Sequence, residues 1–144
     1  MSCILRAGGD SFDVNVFITK SSLAIDSMWR KGEKRCPNSS NSEINQSSGV
    51  RVVASEAEFS QLGEQIEETI SFLSQNLEQV KYLTSFPGLE SAVLDFGAEI
   101  YPPGWSSFTF PPELLALAGQ AGVSLCLSVY PTDDEEDSDA QQGA

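Results

Sequence analysis

From Phe59 onward the apolar residues recur at intervals of three and four. Phe59, Leu62, Ile66, Ile70, Leu73, Leu77, Val80 and Leu83 form one stripe, and Glu64, Glu67, Glu68, Ser71, Gln75 and Glu78 lie largely opposite. That period predicts an amphipathic helix. Ser55 and Glu58 stand at capping-box spacing just ahead of it, which sets the start at Glu56. Run to about Phe86, the helix would span roughly 45 Å, long enough to kink or to stop short of Pro87-Gly88.

Elsewhere the period is two. Ala92, Leu94, Phe96, Ala98 and Ile100 alternate with Val93, Asp95, Gly97 and Glu99, and Val123, Leu125, Leu127 and Val129 alternate with Ser124, Cys126, Ser128 and Tyr130. Both segments read as strands buried on one face. Cys3–Ala7 and Val50–Ala54 are short apolar or β-branched runs and read as two more strands, the first ending in a Gly8-Gly9 turn. Val14, Phe17 and Ile18 mark a short helix opening at Ser11 or Phe12, and Leu23–Arg30 reads as extended. Pro111-Pro112 sets up the first turn of a helix over Glu113–Gln120. Residues 37–48 are almost entirely Asn, Ser, Gln and Glu, which predicts a mobile polar loop.

One-sided strands in the order β, α, β, β, long α, β, α, β predict an α+β fold. The sheet is expected to be mixed or mainly antiparallel, with one long and two short helices packed on one face. At 144 residues the chain has the length of one domain, expected over 1–131, with a disordered acidic tail at 132–144.

Charge narrows the function classes. The chain carries −13, and setting aside the six acids between Asp133 and Asp139 leaves eight cations against fifteen anions, a net of −7. An acidic body argues against nucleic acid and anionic membrane, which call for clustered Lys and Arg, and allows a basic protein partner. Leu114–Tyr130 is free of charge for 17 residues but broken by Gly119, Gln120 and Gly122, so no membrane span is expected. The N-terminus has no charged region followed by an apolar stretch, and a cytoplasmic location is expected.

Histidine is absent, which removes the usual general base, the usual activator of Ser or Cys and the commonest zinc ligand. Cys3, Cys36 and Cys126 are widely spaced and suggest neither a disulfide framework nor a metal site. Asp95 and Glu99 share one face of a strand about 13 Å apart, beyond the roughly 5 to 9.5 Å of paired catalytic carboxylates. They are expected to solvate the outer sheet face opposite Arg6 or Arg51. No nucleophile-elbow, P-loop or dinucleotide motif is present. No catalytic residue, metal or cofactor is therefore assigned, and the chain is expected not to be an enzyme.

Two places are candidate interaction surfaces. Trp29, Arg30, Lys31 and Glu33 lie in a stretch that, with Lys34 and Arg35, holds four of the eight cations, and Trp105 and Phe108 lie in a proline-rich loop.

The Trp-Arg-Lys-Gly-Glu turn at 29–33, the strand opening Ser-Gly at 48, the long helix, and the last helix and strand ending at Tyr130-Pro131 resemble a family of small bacterial domains of unknown function. Some of its members are proposed as toxin immunity proteins. The resemblance covers most of residues 2–131 and implies no catalytic residues. It implies a protein-binding module, an immunity-type inhibitor of a basic toxin. The other readings are a small-ligand protein or enzyme with its site between the sheet and the Trp105 loop, and a structural or assembly protein.

Overall fold

The structure, a computed structural model, describes residues 2–101 and 106–132. Its elements are β1 (Cys3–Gly9), α1 (Val14–Lys20), β2 (Ser27–Trp29), β3 (Ser48–Ser55), α2 (Leu62–Thr84), β4 (Ser91–Ile100), α3 (Pro112–Ala121) and β5 (Ser124–Pro131). The strands form one mixed sheet in the order β2-β3-β1-β4-β5. Every neighbouring pair is antiparallel except β4 and β5, which run parallel because α3 is the crossover between them. Among the described residues no helix is long and apolar enough to cross a membrane.

Alternation decides which face is covered. Cys3, Leu5 and Ala7 of β1, Val50, Val52 and Ala54 of β3, and Ala92, Leu94, Phe96 and Ala98 of β4 are buried on the helix side. They meet Ile66, Leu73, Val80 and Leu83 from the α2 stripe and Leu114, Ala118 and Ala121 from α3. The mixed α+β sheet with its helices packed against it is the fold the sequence pattern predicts.

The start of the long helix is not as predicted. It begins at Leu62 after Gln61, whose side chain makes no capping bond. Ser55 and Glu58 do not form a capping box. The Ser55 hydroxyl instead accepts from the Ala57 N–H at 3.1 Å and donates to Glu68 at 2.9 Å, and Glu68 also accepts from the Glu56 N–H at 3.1 Å. A carboxylate inside the helix thus takes the Ser55 hydroxyl proton and the Glu56 N–H in place of the box. The helix also breaks at Asn76, whose φ of −118° and ψ of 20° are not helical; its side-chain amide donates to the Phe72 carbonyl at 2.9 Å.

Gly8 and Gly9 are not a turn but the last two residues of β1. The extended run expected over Leu23–Arg30 is a strand only at Ser27–Trp29. The polar stretch before β3 is tied back on itself. Arg35 N–H donates to Glu43 O at 2.9 Å, Asn45 N–H to Glu33 O at 2.8 Å, and Gly32 N–H to Asn45 O at 2.9 Å. Asn45 is buried and donates through its amide to the Arg30 carbonyl at 3.0 Å. Ser48 belongs to β3.

Candidate functional site

The face of the sheet away from the helices carries the side chains left over from the alternation, and register arranges them in rows. One row runs Ser27, Arg51, Arg6, Val93 and Ser124. The next, toward one end, runs Trp29, Gly49, Gly8 and Ser91. Toward the other end come Asp95 beside Cys126, then Gly97 beside Ser128, and Glu99 beside Tyr130.

The indole of Trp29 accounts for the glycines beside it. A Cβ on Gly49 would stand 2.2 Å from the indole edge and one on Gly8 3.1 Å from it, so the ring rests on bare backbone. Its N–H donates to the Ser47 hydroxyl at 3.3 Å, and the Arg51 guanidinium sits 5.1 Å from its centroid. Arg6 donates to Asp95 at 2.8 Å, and Ser128 donates to the same carboxylate at 2.7 Å. The expected solvating role of Asp95 opposite Arg6 is what the strands provide.

Strand alternation splits the basic stretch found in the sequence. Trp29 lies on the open face, whereas Arg30 turns to α1 and donates twice to Asn15, at 3.0 and 2.9 Å. Lys31 pairs with Asp10 at 2.6 Å, and Glu33 is exposed in the turn closed by Gly32, whose φ is +87°. Phe108 is half-buried, and Trp105 lies outside the described residues, as do the acidic residues 133–144. The sequence stretch therefore does not form one patch; Trp29 is joined instead to Arg51, 22 positions away.

The opposite end holds a site that the sequence pattern concealed. Phe59, read as the first residue of the α2 stripe, lies outside the helix and turns onto the open face. A Cβ on Gly97 would meet its ring at 2.2 Å, and the ring stacks on Tyr130 with centroids 4.7 Å apart and planes 16° off parallel. Gln65, fully buried, holds this arrangement. Its amide donates to Gly97 O at 2.7 Å and Glu58 O at 2.9 Å and accepts from Gly97 N–H at 3.2 Å, tying the loop that carries Phe59 to β4. Tyr130 is 47% exposed and Tyr101 48%, and the Tyr101 hydroxyl donates to Glu99 at 3.2 Å. The tyrosines and the stacked pair show no signal in a single sequence beyond Tyr130 lying on the outer face of its strand.

Charge follows the same axis. All eight cations lie on the Arg51–Arg6 row or on the Trp29 side of it, where Lys20 and Lys81 sit at the ends of α1 and α2. Beyond the row lie Glu56, Glu58, Glu64, Glu67, Glu68, Asp95, Glu99 and Glu113, since α2 and α3 both begin at that end. Of these, Asp95 pairs with Arg6 at 2.8 Å. The Thr132 N–H donates to Ile100 O at 2.7 Å at that same end. Cys126 is half-buried on the open face and Cys36 exposed, while burial pushes the Cys3 thiol up to about 12.

No family model, curated protein or solved structure matches the chain.

Proposed function

We propose that this chain is a protein-binding module that docks a basic partner on the acidic end of its open sheet face. The observation that carries this reading is a stacked Phe59–Tyr130 pair and the exposed Tyr101 gathered beside the Glu99 carboxylate at the end of the sheet where the Lys and Arg side chains are absent. Large amphipathic rings surrounded by one sign of charge are the composition of an interface centre with a steering rim. The aromatic side chains supply contact area at little entropic cost, and a Lys or Arg of the partner gains both a carboxylate and a ring face. Resemblance to the small bacterial domains extends the proposal to an immunity-type inhibitor covering the basic site of a toxin.

The experiment is capture on the immobilised full chain from an extract of the source organism, with parallel columns of Glu56→Gln/Glu58→Gln/Glu99→Gln, Tyr130→Ala and Trp29→Ala chains, each checked for folding by circular dichroism. The expected result is a basic protein retained by wild type and by the Trp29 variant, released by salt and lost from the other two columns. Retention that survives neutralisation of the three carboxylates, or that depends on Trp29, would overturn the reading.

A further inference from the structure

Arg6 and Arg51 are direct cross-strand partners on the open face of an acidic protein, the Arg6 guanidinium drawn toward Asp95 and that of Arg51 toward Trp29. Like charges directly opposite each other destabilise a sheet. Arg6 spends one donor on Asp95, and Arg51 stacks on Trp29 without a carboxylate partner among the described residues, so most of the ten N–H donors of the pair remain open. They border a cavity of about 330 Å³ floored by the backbone of Ala7, Gly8 and Gly9. The Ser47 hydroxyl, having accepted the indole N–H, keeps its own proton to donate into this cavity, and Ser91 adds a second hydroxyl on the far wall. The lining is thus rich in donors, with Glu90 as its one carboxylate.

We propose that this cavity binds a small molecule through a single carboxylate or phosphate group held between Arg6 and Arg51. Two planar guanidinium forks on adjacent strands match the oxygens of either group. The volume is that of a small-ligand site. Glu90 on the rim and the net charge of −13 repel an extended polyanion, whereas one anionic group seated between the arginines is compensated where it lies. The site is distinct from the acidic end at Tyr130 and does not depend on the function proposed there.

In a Trp105→Phe chain, Trp29 is the one tryptophan and reports on the cavity directly. Inorganic phosphate, phenyl phosphate, benzoate and the neutral control benzamide are titrated at constant ionic strength. Saturable change in Trp29 emission with phosphate and phenyl phosphate assigns the site to phosphate, and with benzoate to carboxylate, while benzamide gives none. Arg51→Gln weakens the binding by about tenfold or more, the loss of one charged hydrogen-bonding partner; Arg30→Gln, outside the cavity, leaves it unchanged. Because a cavity variant can perturb folding, the guanidinium Nε–H resonances of the intact chain are followed in the same titration, and those of Arg6 and Arg51 shift while that of Arg30 stays. No saturable response to any of the three anions, or equal affinity in a folded Arg51→Gln chain, would refute the site.

Discussion

Replacing Gln65 by Met removes three hydrogen bonds from a side chain with no solvent access, and the structure allows the cost to be worked out. Gln65 donates to Gly97 O and Glu58 O and accepts from Gly97 N–H. Two of those backbone groups keep another partner: Glu58 O still accepts from Gln61 N–H at 2.9 Å, and Gly97 N–H still reaches Ser2 O at 3.1 Å. For those two the loss is the net value of the bond, about 1 kcal/mol each, while Gly97 O, past the end of the β1 ladder, adds the penalty of a buried acceptor, about 1 kcal/mol or more. Met recovers part of it by packing, so Gln65→Met costs about 2 kcal/mol.

Gln65→Glu is nearly isosteric but places carboxylate oxygens against two carbonyls, adding about 2 kcal/mol or more at neutral pH. Burial raises the folded-state pKa of that introduced carboxyl above its ordinary value of about 4.3. The folded form then holds its proton more tightly than the unfolded form, so the variant loses stability as pH rises through the window between the two pKa values and recovers it below. Urea unfolding of the three chains at neutral pH and near pH 5 measures both effects, as does a melting temperature lowered by roughly 3–4 °C per kcal/mol. A Gln65→Met chain within about 0.5 kcal/mol of wild type, or a Gln65→Glu chain as stable as Gln65→Met at neutral pH, would show that this amide does not hold the Phe59 loop to β4.

Three further outcomes are expected. The Thr69 hydroxyl is buried without satisfying a hydrogen bond by distance and angle, although it lies near enough to the Cys3 thiol to oppose the rise in its pKa; Thr69→Val should therefore raise stability by about 1 kcal/mol in urea unfolding, and a loss of that size would show that the hydroxyl has a partner. Because the Cys3 thiol titrates near 12 when folded and the unfolded chain ionises it near its ordinary value, stability should fall as pH rises from about 9 toward 12, by up to about 1.4 kcal/mol per unit, and Cys3→Ala should remove that slope. The same burial leaves Cys36 as the fast thiol toward a disulfide reagent in the folded chain and Cys3 unreactive until unfolding.

The proposed interaction surface was much less legible than the fold. Trp29, Arg30 and Lys31 are adjacent in sequence and so read as one patch, yet an extended backbone sends neighbours to opposite faces, and Arg30 ends at Asn15 on the helix side. Phe59 fits the helical period of the α2 stripe, and nothing local distinguishes it from Leu62. It leaves the helix because Gly97 makes room for its ring and Tyr130 supplies a stacking partner, contacts made across 38 and 71 positions.

By itself the sequence determined the elements and the side of each that is buried, because periods of two and 3.6 are local consequences of backbone geometry acting on apolar residues. It also determined the acidic balance and the absence of histidine chemistry. Tertiary structure alone decided the strand order, the pairing of Arg6 with Arg51, the glycines under Trp29 and the stacking of Phe59 on Tyr130. Register and strand order are set by long-range packing against α2 and α3, and no repeat of apolar residues along one strand carries information about which strand lies beside it.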